Sequence, residues 1–381
     1  MQILRKYFKG DKFIWLVVGA LSLIGILAVY SSIGAIAYAK NSGDTTYYLI
    51  RHVGILLLGL FIMWLTHGID FRYLRRPSNY LIYIAIALLI YTFFFGIEIN
   101  NARRWMRLPG GMTFQTSDLA KLALIMYIAR FLSGKQQNIG NFKKAFLPVM
   151  AHIIVVCGLI APADLSTAAV LFMTSVLLLF IGRIPMKYLI ALTGTGIVCL
   201  SLMVVVILNS NFDGRVATWK SRIENYVSFQ KGEGEGISYQ NQQAKIAIAN
   251  GGVKGKGIGK STQRNFLPSP FADFIYAIII EEYGLIGGLV IIFLYLALLL
   301  RTVKIIIRTP KAFGALLAVG LSFSISIQAF TNMGVAVHLL PNTGLPLPLV
   351  SMGGTSLFFT SIAFGIIISL SRRDDKQLNN A

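Results

Sequence analysis

Five acidic side chains, Asp118, Asp164, Asp273, Glu281 and Glu282, fall within or at the ends of strongly apolar stretches, where a charge is costly to bury and a functional role is the default reading. Asp273 is the sharpest candidate. It follows the proline-bounded aromatic stretch Phe266-Leu267-Pro268-Ser269-Pro270-Phe271-Ala272 at the mouth of an apolar run. A carboxylate there is near water yet partly desolvated, which suits a general base. Glu281 and Glu282 come eight and nine residues later. Along a helix they would lie roughly 12–14 Å deeper, too far to share a reacting atom with Asp273, so polar contacts between helices are the expected role. Asp118 and Lys121, three apart, share a helix face and can pair. Ser117-Asp118 also reads as a helix cap with a compensating lysine, against the alternative that Lys121 meets a phosphate or an acid. Asp164, just before Thr167, is equally readable as cap or site residue.

Three other segments carry chemistry of a weaker kind. Gly251 to Ser261 is dense in glycine and lysine, and Lys256 and Lys260 stand where backbone N–H groups can cradle a pyrophosphate. It fails the Walker and G-x-G-x-x-G spacings, and a flexible solvated loop is an equal reading. Arg103, Arg104, Trp105 and Arg107 cluster between two apolar runs. Pro341 to Ser356, with Ser351, Gly353 and Gly354 near its end, cannot be helical throughout. Non-helical backbone at membrane depth survives only against protein or a water-filled cavity, so this segment is expected to line a site. His52, His67, His152, His338, Cys157 and Cys199 show no ligand spacing and read as structural.

The elements that position these residues are membrane helices. The chain has 381 residues, of which 55% are hydrophobic and 13% charged, with a mean hydropathy of +0.69. That is too apolar for a soluble domain of this length. Runs near 13–38, 48–68, 79–97, 118–133, 146–161, 167–182, 187–208, 273–300, 312–336 and 354–371 predict an all-α polytopic protein of about ten spans. The fourth and fifth runs are the weakest. Ala35-Ile36-Ala37 looks like a cleavage site, but the apolar stretch before it is too long for a signal peptide, so a retained helix is expected. The net charge of +20 is spread over many short loops, not gathered in one stripe, which argues for membrane topology over nucleic acid. Most basic residues in short loops and at the ends fall on one side, which the positive-inside rule makes cytoplasmic, with both termini. The opposite side then carries the long segment 209–272, between the seventh and eighth spans, and segment 98–117. Together with Lys40, Arg51 and Asp44, that side holds 14 Lys and Arg against six loop acids, a balance of about +8. Long loops escape the positive-inside rule, which is one explanation; an anionic, pyrophosphate-linked lipid is the other. On this topology Asp118, Thr167 and Asp273 start helices at the same outer boundary, where electropositive N-termini can seat phosphate oxygens.

The residues then show a pattern that resembles the SEDS family of cell-shape and division proteins, which includes FtsW, RodA and SpoVE. It is carried by Tyr239-Gln240, by Ala247 to Gly252 with the Gly-Lys loop, and by Asn265-Phe266-Leu267-Pro268 leading to Asp273-Phe274-Ile275 and Glu281-Glu282-Tyr283-Gly284. Pro341 to Ser356, Ala102-Arg103-Arg104-Trp105 and Gln115 to Lys121 complete it, so the likeness covers nearly the whole chain as a single membrane domain, 1–381. The wording from Asn265 to Tyr276 is closer to the division member, FtsW, than to RodA. The resemblance implies ten membrane helices in the bacterial cytoplasmic membrane. It also implies a peptidoglycan glycosyltransferase acting on lipid II and undecaprenyl-pyrophosphate-linked glycan, with Asp273 catalytic. A divalent cation, Mg or Mn, is an option that it leaves open. A class B penicillin-binding transpeptidase and divisome or elongasome membrane proteins are the implied partners. Ser269, Phe271-Ala272, Asp118 and Ala163 to Thr167 depart from the family's usual wording, while Asp273 and Lys121 keep it. Two other functions fit the same composition: a flippase for the lipid-linked precursor, which would need acids and bases through the membrane depth, and a noncatalytic division scaffold.

Overall fold

The computed structural model of the chain describes residues 9–34, 45–99, 102–107, 113–209, 215–231, 239–309 and 311–378. Helices stand at all ten places where apolar runs predict spans. They are α1 (Lys12–Ser32), α2 (Thr45–Gly68), α3 (Ser78–Phe95), α4 (Thr116–Gly134), α5 (Leu147–Ile160), α6 (Leu165–Ile181) and α7 (Met186–Asn209), then, after α8 (Arg215–Lys231) and α9 (Tyr239–Gly251), α10 (Ile275–Arg308), α11 (Ala312–Ala336) and α12 (Thr355–Leu378). Among the described residues, eight helical segments are long and apolar enough to cross a bilayer, α5 counting with the π-helical turn Phe142–Phe146 before it. The chain is a multi-pass membrane protein. A count of ten crossings requires α4 and α6 to span as well; α4 carries Asp118, Lys121 and Arg130, and α6 has only 17 residues. Residues 35–37 and part of 209–272 lie outside the described residues.

Burial sorts the helices into centre and rim. In α11, 78% of the span is buried, against 11% in α7. Large apolar side chains such as Leu57, Phe61, Phe94, Ile190, Ile197 and Leu202 stay exposed on α2, α3 and α7, as a lipid-facing rim requires when the bilayer is the solvent. The centre is α11, packed against α4, α6, α10 and α12. Its polar residues Gln328 and Asn332, one turn apart, are therefore deep inside protein.

Two features correct the sequence reading. The segment 98–117 is not only a loop: β1 (Ile97–Ile99), β2 (Ala102–Arg107) and β3 (Thr113–Gln115) form an antiparallel sheet in the order β1-β2-β3, so the fold is nearly, not wholly, helical. Ile, Trp, Phe and Thr favour a pleated, half-buried surface, and Trp105 pairs with both Ile97 and Gln115. The sheet is fixed to the start of α12 by the Gln115 amide, which donates to Thr355 Oγ1 at 3.2 Å, and by the Phe114–Phe359 ring contact at 5.7 Å.

The second correction concerns the Gly-Lys segment. It is clamped to α10, not loose. Lys256 and Gly257 amides donate to the Glu281 and Glu282 carbonyls, each at 2.9 Å, and the Leu285 amide donates to Gly252 O at 2.9 Å. The two chains approach so closely that a Cβ on Gly284 would collide with the Val253 carbonyl, and Gly284 itself has φ +71°, a left-handed value that favours glycine. This residue breaks the helical geometry of α10.

Candidate active site

Asp273 lies in the turn before α10, and two separate segments hold that turn. The Asp273 carbonyl accepts from Asn332 Nδ2 of α11 at 2.9 Å. The Ala272 carbonyl accepts from Ser351 Oγ at 2.7 Å, and the Phe271 carbonyl from the Met352 amide at 2.9 Å. The Pro-Gly segment 341–356 is thereby the mould for the Asp273 turn. Its own backbone is satisfied by side chains: Leu345 O accepts from Asn332 Nδ2 (2.7 Å), Pro346 O from Gln328 Nε2 (2.9 Å), Pro348 O from Tyr295 Oη (2.5 Å), and Leu347 N donates to Ser351 Oγ (2.8 Å). With Leu345, Leu347, Leu349 and Val350 all buried, the non-helical segment is enclosed by protein, as expected of such backbone at membrane depth.

The Asp273 carboxylate faces a cluster of charges. Gly344, at φ +68°, brings bare backbone beside it: a Cβ there would sit 3.7 Å from Asp273 Oδ2 and 3.9 Å from Arg222 Nη2 of α8. Burial pushes the Asp273 carboxyl above the ordinary carboxylate range, while Arg222 and Arg104 pull it back and Asp164 adds to the rise. Burial and the repulsion of Arg104 lower the Arg222 guanidinium, and Asp164 and Asp273 oppose that. Arg104 Nη1 pairs with Asp164 Oδ2 at 3.0 Å, and Arg104 Nε donates to Ala163 O at 2.8 Å. Asp164 Oδ1 meanwhile accepts from the Thr167 amide at 3.1 Å, so Asp164 is at once a cap of α6 and an ion-pair partner. Arg103 and Arg104 share a small recess with Asp164 and Ser117.

Asp118 and Lys121 do pair, at 2.8 Å, and Asp118 makes no capping hydrogen bond at the α4 terminus. Lys121 Nζ also donates to Gln328 Oε1 at 3.3 Å. The pair borders a small cleft whose other walls are mostly apolar, among them Ile125, Leu321, Phe359 and Ala363, with the polar Ser324, Gln328, Ser356 and Thr360 also lining it. One cation beside a greasy wall is the chemistry that an amphipathic, phosphate-bearing lipid requires. Gln328 and Asn332 link this cleft to the Asp273 turn along one face of α11.

The other residues singled out from sequence are placed elsewhere. Glu281, fully buried, accepts from Lys256 Nζ (3.0 Å), Ser261 Oγ (2.5 Å), Thr262 Oγ1 (2.8 Å) and the amides of Thr262 and Gln263 (3.2 Å each). Glu282 accepts from Ser31 Oγ of α1 and from the Ser261 amide at 3.3 Å. Lys256 is thus engaged in the clamp, and Lys260 is exposed on the same loop. Trp105 is half-buried in β2; Gly353 and Gly354 precede α12, with Gly354 O accepting from the Leu357 amide at 3.3 Å. Arg222, Arg104, Gln328 and Asn332 were not selected from sequence as site residues. Gln328 and Asn332 had a signal, a polar pair at helical spacing inside an apolar span; Arg222 had none. For a divalent ion the donors fit poorly. Among the described residues no cluster of three or more His, Cys, Asp or Glu occurs, and the positions flanking Asp273 and Asp164 are held by guanidinium groups.

The family model for FtsW, RodA and SpoVE, described as a cell cycle protein, matches residues 11–376. A probable peptidoglycan glycosyltransferase FtsW from Trichlorobacter lovleyi is 34% identical over 380 residues, covering 97% of this chain and 96% of its own. Among solved structures, a chain from a peptidoglycan synthase complex, studied for the structural coordination of polymerization and crosslinking, superposes with a TM-score of 0.74 at 26% identity, covering 97% of this chain and 99% of that one. The rod shape determining protein RodA of Thermus thermophilus does so with a TM-score of 0.69 at 25% identity, over 97% and 98%. With its helices and its sequence both matched along nearly its whole length, the chain belongs to the FtsW/RodA/SpoVE, or SEDS, family.

Proposed function

We propose that the chain is a peptidoglycan glycosyltransferase that polymerises lipid II into β-1,4 glycan at the outer face of the bacterial cytoplasmic membrane, as one membrane domain with both termini in the cytoplasm. Asp273 deprotonates the 4-hydroxyl of the incoming lipid II sugar, and that oxygen attacks the anomeric carbon of the growing chain. The C1–O bond to undecaprenyl pyrophosphate breaks, and inversion converts an α-linked donor into a β-linked product. Arg222 and Arg104 stabilise the charge that develops on the leaving pyrophosphate. Lys121, beside its apolar walls, takes a lipid-linked phosphate. The observation that carries this reading is the meeting of a desolvated carboxylate with two guanidinium groups at the mouth of α10. A carboxyl raised by burial is a better proton acceptor at neutral pH than an ordinary one.

A flippase would use ionisable groups through the membrane depth. Glu281 and Glu282, the acids furthest along α10, are occupied by the clamp, which favours the enzyme. The transpeptidase partner, of the class B penicillin-binding type, and a role in division with other divisome proteins follow the same reading; elongation is the alternative setting. The test is reconstitution with lipid II and that partner. Asp273→Asn is expected to abolish glycan synthesis while remaining at least as stable as the wild type at neutral pH, because burial disfavours the ionised carboxylate it removes. Undiminished polymer from that variant would refute the assignment.

A further inference from the structure

At the end of the molecule away from Asp273 is a recess of about 360 Å³ that the proposed reaction does not use. Three chain segments form it: the 3₁₀ turn Phe71–Arg75 between α2 and α3, the last turn of α4 at Ser133, and the start of α11. Its floor is apolar, with Phe71 at 2% and Phe313 at 5% exposure. Its rim is cationic, with Arg72, Arg75 and Lys311. Among the described residues the acid paired with these cations is Asp70, 3.5 Å from Arg72, in a pair whose side chains are 44% and 39% exposed. Such an exposed pair is weak. Arg75 and Lys311 have no carboxylate partner among the described residues. The recess thus concentrates three positive charges against one negative.

The depth of this recess decides what fills it. It lies where spans end, at the opposite end of α10 from the Asp273 turn. Tyr73, within the same turn, and Tyr80, at the start of α3, are 75% and 70% exposed, as aromatic side chains are at the headgroup level. Sorting of basic loops puts this end in the cytoplasm. A soluble anion would find the cations; only a lipid would also use the apolar floor and the tyrosines.

We propose that the recess bounded by Arg72, Arg75 and Lys311 binds the phosphodiester headgroup of an anionic phospholipid of the inner leaflet. The phosphate sits among the three cations, and the acyl chains leave along the exposed apolar flank of the neighbouring spans. The site is separate from the glycosyltransferase chemistry, and its test reads lipid binding alone.

The experiment is native mass spectrometry of the detergent-solubilised full chain, titrated with phosphatidylglycerol or phosphatidylcholine. Each basic residue near a membrane surface contributes about fivefold to binding of an acidic lipid. Lys311→Gln is therefore expected to weaken the phosphatidylglycerol adduct about fivefold, and the triple change of Arg72, Arg75 and Lys311 to Gln on the order of a hundredfold, with phosphatidylcholine unaffected. A control in which Lys135, Lys143 and Lys144 become Gln removes equal charge from the same face and should leave the adduct intact. The single variant serves if the triple one does not fold. Equal loss in the control, or no preference for the acidic lipid, would overturn the proposal. So would displacement of the lipid by millimolar inorganic phosphate or by an oligoglutamate peptide, which would mark the recess as a site for a soluble anion or a protein.

Discussion

Replacing Asn332 by leucine keeps the γ-branched shape of the side chain and removes the amide that holds the Asp273 turn. Asn332 is 1% exposed, and its Nδ2 group serves two carbonyls, Asp273 O at 2.9 Å and Leu345 O at 2.7 Å. Leaving a buried acceptor unpaired costs about 1–3 kcal/mol, so the two together predict a loss of about 2–6 kcal/mol unless the turn moves to find other donors. Movement is the functional consequence, since a displacement near 1 Å at the reacting group costs on the order of a hundredfold in rate. The assay is lipid II polymerisation in proteoliposomes well below the unfolding midpoint, with the midpoint measured in parallel. The expected result is a kcat down by about a hundredfold with KM for lipid II little changed. Gln328→Leu, which frees only the Pro346 carbonyl and one contact of Lys121, should lose less of both. A normal kcat and an unmoved midpoint in Asn332→Leu would refute the claim that α11 positions the base.

Three further outcomes follow from the same geometry. Because Asp273 must be ionised to accept a proton and its carboxyl is raised by burial, activity should fall on acidification at a higher pH than for an ordinary carboxylate; Arg222→Gln removes a cation that pulls it down, so the acid limb of the pH–rate profile should move further up. Lys121→Ala strands Asp118, 3% exposed, and is expected to cost about 3–5 kcal/mol of stability; the double change of Asp118 and Lys121 to Ala should recover part of the unfolding midpoint without restoring polymer. Glu281→Ala strands Lys256 and four other donors and is expected to cost a similar 3–5 kcal/mol, read as faster amide exchange across residues 251–263.

What the sequence determined by itself was the identity of the solvent and the list of chemically loaded residues. Apolar runs of near-membrane length locate ten helices because a spanning segment must close its hydrogen bonds internally, and that demand is local. Asp273, Asp118, Lys121 and Asp164 stand out for an equally local reason, charge beside apolar chain. Partnership is not local. Arg104 and Asp164 are 60 residues apart, and Asn332 meets Asp273 across 59. Arg222 lies on an amphipathic helix in a segment that reads as loop, and only its approach to Gly344 places it at the site. The Gly-Lys segment shows the same limit from the other side: its composition suits a phosphate cradle, but its amides and Lys256 turn inward to Glu281 and Glu282. Those carboxylates, buried in α10, demand donors, and tertiary packing brings the nearest ones from that segment.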